Sequence, residues 1–166
     1  MRDPYQAPQA AVADVHEELE FVGFWARVGA SVIDSIIVVA VTYPLLFAVY
    51  GKEYFVTQHI IVGFADVVLN YVLPAVAVIV FWVYKSATPG KMVIGARIVD
   101  AKTGAQPSTG QLIGRYVAYY VSLIPLGLGF FWVGWDARKQ GWHDKLAGTV
   151  VVRTSNRARH PVTFGA

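Results

Sequence analysis

The chain has 166 residues, 55% of them hydrophobic and only 15% charged, against roughly 25% charged in an average soluble domain. That length holds one compact unit and leaves no room for a second catalytic module. The formal charge of +3 comes from Lys and Arg set beside long apolar blocks, which reads as membrane topology signals and not as a nucleic-acid stripe; with no cysteine, disulfides, thiolate metal sites and cysteine nucleophiles are excluded.

Residues 1–20 are rich in Ala, Gln and acid (Asp14, Glu17, Glu18, Glu20) and lack a basic region leading into a short apolar core, so they are predicted to be a disordered polar tail and not a cleavable signal. The first apolar block, 28–50, has about 23 residues and reaches about 34 Å as a helix, enough to span a hydrocarbon core of ~30 Å. Pro44 predicts a kink late in it. A short connection over 51–65 carries Lys52, Glu53 and His59, and a second predicted span over 66–84 is apolar apart from Asn70 and Pro74.

From 85 to 110 the chain turns polar. Thr88-Pro89-Gly90-Lys91 reads as a turn, 92–99 as a short β-branched strand, and Ala101-Lys102-Thr103-Gly104 as a reversal. A third apolar block, 116–135, lies between Arg115 and Asp136 and is broken by Pro125-Leu126-Gly127-Leu128-Gly129. Gly110, Gly114, Ala118 and Ser122, spaced by four, predict a helix face for close packing. Trp142-His143-Asp144-Lys145, a strand-like 149–152 and a basic tail with Arg153, Arg157 and Arg159 follow.

Lys and Arg near the segment ends set orientation. The first connection has Lys52, whereas the second has Lys85, Lys91, Arg97 and Lys102, and the segment after the third block has Arg138, Lys139, Lys145 and Arg153. Both basic segments belong on the cytoplasmic side, which a simple third span forbids. A re-entrant hairpin turning at 125–129 resolves the conflict, each arm reaching about 15 Å; a single kinked span is the competing topology. Trp25, Trp82, Trp132, Trp135 and Trp142 fall at ends the hairpin places at the cytoplasmic interface, with Tyr43, Tyr50 and Tyr54 at the opposite end.

Within the first span, Arg27, Ser31, Asp34 and Ser35 share nearly one face. Asp34 lies about 10 Å deeper than Arg27, where an acid costs on the order of 2.5–3.5 kcal/mol and must face protein or a wet cavity. It reads either as a proton or cation site or as half of a structural ion pair with Arg27 or Arg115. Asp66 reads as interfacial, and Asn70 as a helix-to-helix hydrogen bond. Helix ends freed at 125–129 would present amides or carbonyls that bind ions, against the alternative of a loosely packed turn. Gly90-Lys91 lacks the rest of a phosphate loop, and no zinc-protease or Gly-x-Ser-x-Gly pattern is present.

Gly23-Phe24-Trp25-Ala26-Arg27 leading into a span with Asp34, then Thr88-Pro89-Gly90-Lys91, Arg115 and His143-Asp144-Lys145-Leu146-Ala147-Gly148-Thr149, form an ordered series over about residues 20 to 153. The series resembles the RDD family of bacterial membrane proteins, named for one arginine and two aspartates. By position the resemblance implies Arg27 for the arginine, Asp34 for the first aspartate and Asp144 for the second. It also implies a largely uncharacterised membrane role, with transport proposed and some members linked to sodium/proton exchange.

The expected fold is all-α and integral to the membrane: two transmembrane helices plus a Pro/Gly-broken third hydrophobic segment, with a short β-like cytoplasmic connection. The membrane domain is expected over 21–153 and a basic tail over 154–166. The expected function is a small cation or proton transporter, Na+/H+ exchange-like and acting as a homo-oligomer, with Arg27, Asp34, Asp144 and Arg115 as the site and Ser31, Ser35 and Asn70 as polar lining. The alternative is a non-transporting structural or accessory protein in which the same charges hold the bundle together. Neither reading includes enzyme activity, a cofactor, a metal or nucleic acid. The expected partners are the bilayer with its anionic headgroups and Na+ or H+, in a bacterial inner (cytoplasmic) membrane, the basic loop and C-terminus being cytoplasmic.

Overall fold

A computed structural model describes residues 18–56, 61–155, 162 and 164. Most of the predicted N-terminal tail, His59, Arg157 and Arg159 lie outside the described residues.

Helix α1 (Phe24–Tyr50) and helix α2 (Phe64–Lys85) are both long and apolar enough to cross a membrane. Their sides carry a continuous set of exposed aliphatics, Ile36, Ile37, Val38, Val39 and Val41 on α1 among them, a surface that lipid and not water accommodates. Helix α1 starts before the predicted 28, and it continues through Pro44 without a break. In α2 the turn Val68–Val72 widens to π geometry just ahead of Pro74. Proline has no N–H to give to the carbonyl four residues back, that of Asn70, so the wider turn sits where the α ladder is already interrupted.

The 85–110 connection is more structured than a turn and a strand. Ser86 ends α2 in a left-handed conformation, and Thr88 begins a short helix α3 (Pro89–Val93) with Pro89 in its first turn. Strand β2 (Ala96–Asp100) then replaces the second half of the predicted strand over 92–99, because Pro89 favours the start of a helix that runs through Val93. The reversal at 101–104 forms, held by the Asp100 carboxylate accepting from the Lys102 and Thr103 amides at 2.9 and 2.8 Å.

Helix α4 (Thr109–Leu123) begins seven residues before the predicted third block, at a capping box between Ser108 and Gln111. Left-handed Leu126 and Gly127 break the chain after it. The returning helical arm α5 (Leu128–Gly134) is bent 113° from α4. Gly129 packs so tightly on Ser122 that a Cβ there would lie 2.6 Å from the Ser122 backbone. The tip is strongly apolar and exposed, with Leu126 at 93%. Of the four small residues predicted to pack, Ala118 and Ser122 are buried, but Gly110 and Gly114 are exposed, since a spacing of four drifts off one face over three repeats.

The largest departure from an all-α fold is a three-stranded antiparallel sheet, in the order β1 (Glu18–Phe21), β3 (Thr149–Ser155), β2. Glu18, Leu19 and Glu20, read as tail, pair with Ser155, Thr154 and Arg153, and an ion pair at 2.6 Å joins Glu20 to Arg153. Thr154 and Ser155, assigned to the basic tail, belong to the sheet as well. Four residues of a short acidic run carry too little apolar periodicity to announce a strand; they form one because β3 offers a free edge. Alternation along the strands covers both faces: Ala96, Ile98 and Val151 pack with Val22, Trp82 and Leu112, while Val99, Val150 and Val152 pack with Phe21 and Ala101. Trp82 is thus a fully buried core residue and not an interfacial anchor.

Helix α6 (Trp142–Ala147) follows the returning arm and packs against α4. Sheet, α3, α6 and the bases of α1, α2 and α4 form one end of the molecule, here called the sheet end; the opposite end holds Tyr50, Tyr54 and the start of α2.

Candidate functional site

The centre of the sheet end is Asp144, fully buried in the first turn of α6. Its Oδ2 accepts from Arg27 Nη1 at 2.6 Å and from its own N-cap amide, Gly141, at 2.9 Å. Its Oδ1 is in ion-pair contact with Arg115 Nη1. One carboxylate is therefore held between guanidiniums from α1 and α4 while capping α6, which ties three elements distant in sequence. Burial alone would push this carboxyl up; the nearby Arg115 and Arg27 charges outweigh it and hold it well below the usual carboxylate range.

Both arginines are themselves fixed by the backbone around them. Arg27 donates from Nε to the Val22 carbonyl at 2.9 Å and from Nη2 to the Lys139 carbonyl at 2.6 Å. Arg115 donates to Thr149 Oγ1 at 2.6 Å, and its guanidinium lies over the Trp82 ring at 5.5 Å and near the Tyr119 ring at 5.9 Å. His143 sits beside the pair, with Nε2 3.6 Å from Asp144 Oδ2 and Nδ1 3.3 Å from Ser122 Oγ. Burial lowers its pKa to about 3, a shift that Asp144 opposes and Arg115, Arg27 and Lys91 reinforce, so the ring is neutral at physiological pH.

Asp34 is not part of this cluster. Its Oδ2 accepts from Thr88 Oγ1 at 2.5 Å and its Oδ1 from the Gly90 amide at 2.7 Å, so it seats the first turn of α3 and is partnered with neither Arg27 nor Arg115. A side chain at position 90 would put a Cβ 2.0 Å from the Ala30 carbonyl oxygen, which is why glycine stands there. The predicted polar stripe on α1 therefore splits. Arg27, Ser31 and Ser35 line a cavity of about 490 Å³, whereas Asp34 borders a separate cavity of about 80 Å³ with Thr88 and Pro89.

Asn70 belongs to a second cluster at the opposite end. Its amide nitrogen donates to Asp66 Oδ1 at 2.5 Å, and Tyr54 donates its hydroxyl to the same oxygen at 2.6 Å. The Val62 amide reaches Asp66 Oδ2 at 3.0 Å, and the Asp66 amide reaches the Tyr50 hydroxyl at 3.1 Å. Asp66 is buried and hydrogen-bonded within the protein. Among the described residues no group of His, Asp and Glu is placed to hold a metal ion.

Sequence reasoning missed Lys91, Thr88, Gly90, Trp82 and Thr149 as parts of the site. Thr88, Gly90 and Lys91 stood in a motif read as a turn and counted in the family resemblance, with no role in the site given to any of its side chains; the motif's lysine beside an apolar run was the available signal. Nothing in the sequence pointed to Trp82 stacking on Arg115.

Apolar spanning helices, a helix pair bent back at a break, and a charge cluster buried beneath a small sheet define a multi-helix integral membrane protein. The RDD family model matches residues 21–148, and the chain belongs to the RDD family. Among curated relatives, it is 42% identical over 76 residues to the uncharacterized protein RP437 of Rickettsia prowazekii (strain Madrid E), covering 46% of this chain and 42% of that one. It is 29% identical to the uncharacterized protein YxaI of Bacillus subtilis (strain 168), covering 78% of this chain and 95% of YxaI. Likeness to the uncharacterized protein YckC of the same strain is 31% identity, covering 78% of this chain and 82% of YckC. No solved structure matches. In this chain the arginine and second aspartate that the resemblance implied, Arg27 and Asp144, touch directly, and the first, Asp34, serves a different helix.

Proposed function

We propose that this chain is a non-transporting accessory or assembly protein of the bacterial inner membrane, in which the buried charges hold the membrane helices and the sheet in one arrangement. The observation that carries this reading is the engagement of both family aspartates within the fold: Asp144 between two guanidiniums and Asp34 on the first turn of α3. A carboxylate that binds and releases a proton or a sodium ion must exchange partners, and one already engaged on both oxygens, by hydrogen bonds at Asp34 and by a hydrogen bond and an ion pair at Asp144, is poorly suited to that. The bend between α4 and α5, with the exposed apolar tip at Leu126, supports a re-entrant hairpin. The basic sheet end then faces the cytoplasm, as the excess of Lys and Arg there favours. Exposed aliphatic faces of α1 and α2 meet lipid or a second copy in a homo-oligomer.

Cation or proton transport is the second reading, favoured by the Tyr54–Asp66–Asn70 cluster beside the π turn of α2, since such turns recur at functional sites. Proton and sodium flux in proteoliposomes decides between them. The accessory reading expects wild type to match empty liposomes. Flux in wild type that disappears in a well-folded Asp34→Asn variant would establish transport.

A further inference from the structure

The 490 Å³ cavity has an imbalance of charge that the site around Asp144 does not use. Arg27, Arg115 and Lys91 line it, together with His143, which is neutral at physiological pH. Asp144 is the carboxylate that meets this group, and it is already shared between the two arginines. Lys91 is left over. It is 7% exposed, its ammonium group makes a long hydrogen bond of 3.5 Å to Thr88 Oγ1, and among the described residues no carboxylate lies within ion-pair distance of it. Arg115, 1% exposed, has an Nε without a hydrogen-bond partner among the described residues. Buried cations without a counter-charge are costly, and such groups are normally paired. Asp34 does not supply the pairing, because its oxygens are turned to Thr88 and Gly90.

Much of the remaining wall is apolar, Val28 and Val32 on α1 and Phe130 and Phe131 on the returning arm, alongside the hydroxyls of Ser31 and Ser35. Cations together with aliphatic and aromatic walls in one cavity match an amphiphile whose anionic end meets the lysine and whose hydrocarbon follows the helices. The first turns of α1, a helix apolar enough to cross a membrane, supply Phe24 to Ser35 of the lining, and Val32 among them is more than half exposed. We propose that this cavity is a binding site for the phosphate of an anionic phospholipid, with Lys91 as its principal counter-charge and the Val28–Val32 wall holding the top of an acyl chain. The site is distinct from general attraction of basic loops to a charged surface, since Lys91 is buried and its neighbours are not the exposed Lys102 or Arg97.

The test uses the full chain in detergent, with affinities read by native mass spectrometry for three probes: dioctanoyl-phosphatidylglycerol, dioctanoyl-phosphatidylcholine and inorganic phosphate. The expected result is saturable binding of phosphatidylglycerol about tenfold or more tighter than phosphatidylcholine, with inorganic phosphate failing to compete. Lys91→Gln is expected to weaken phosphatidylglycerol about tenfold, Lys91→Arg to restore it, and Lys102→Gln to leave it unchanged. Val32→Trp, which fills the apolar wall and keeps every cation, is expected to weaken it as well, and it serves if Lys91→Gln does not fold. Equal affinity for the two lipids, or wild-type phosphatidylglycerol binding in Val32→Trp or in a folded Lys91→Gln, overturns the proposal. Competition by inorganic phosphate at matching concentration would make this a site for the free anion and overturn the lipid assignment.

Discussion

The two ends of the molecule solve the same problem in opposite ways. At the sheet end a buried carboxylate, Asp144, is balanced by the buried Arg115 and the partly buried Arg27 guanidiniums; at the other end a buried carboxylate, Asp66, is met by hydroxyl, amide and carboxamide donors that carry no charge. The difference lies in what each carboxylate joins. The Asp66 carboxylate joins side chains near it in sequence, Tyr54 twelve positions away and Asn70 four, whereas Arg27 and Asp144 are 117 positions apart. Charge is spent where the chain closes on itself over the longest distance, and neutral hydrogen bonds suffice where the connection is short.

Removing each carboxylate separates the two cases. Asp144→Asn leaves the buried Arg115 and the partly buried Arg27 guanidiniums facing a neutral group, and a loss of about 3–5 kcal/mol is expected in unfolding by thermal or denaturing-detergent titration. Gly90→Ala should cost somewhat less, about 2–3 kcal/mol, because the new Cβ drives α3 away from the Ala30 carbonyl and off Asp34. Asp66→Asn keeps most donors and strands no charge, so the same titration should show about 1 kcal/mol. A cost for Asp66→Asn equal to that for Asp144→Asn would remove the contrast between the ends.

Acid sharpens the contrast further. His143 has a folded pKa of about 3 against an ordinary 6.5, so below pH 6.5 the unfolded chain takes up a proton that the folded chain refuses. Stability then falls as the pH drops from 6.5 toward 3, by about 1.4 kcal/mol per pH unit. Asp144 works in a lower window: its depressed pKa contributes stability that is complete above about pH 4 and is lost as the pH falls through the folded value. Between pH 4 and 6.5 the slope therefore belongs to His143, and His143→Gln should flatten it while leaving the acid limb below pH 4 in place.

The spans and the break at 125–129 were legible because each rests on a local signal, an apolar run length or a Pro/Gly cluster; Arg27 and Arg115 stood out as charges at the ends of apolar blocks, whereas Asp144 entered only through the resemblance to the RDD family. Two strands of the sheet were legible in part, as the β-branched 92–99 and the strand-like 149–152; β1 and the pairing were not, because β1 has four residues and joins β3 between residues more than 130 positions apart, as Glu18 with Ser155. Asp34 shows a different limit. Its depth in the helix was readable, and its need for partners followed, but the partners proved to be a hydroxyl and an amide of the loop motif and not a charge. Electrostatic reasoning from sequence looks for the opposite charge, and a helix N-terminus made by a short loop offers no charged residue to find. Trp82 fails for the same reason in reverse: its place at a span's end suited an interface, and only the sheet packed over it makes that end an interior.

The central claim is that Asp144 clamps the fold through its two arginines. A double-mutant cycle tests it most directly, with Arg115→Met, Asp144→Leu and the pair compared by the same unfolding titration. The clamp requires a coupling of about 2 kcal/mol or more, with the double variant more stable than Arg115 left alone in Asp144→Leu. Additive losses, with the coupling near zero, would contradict it.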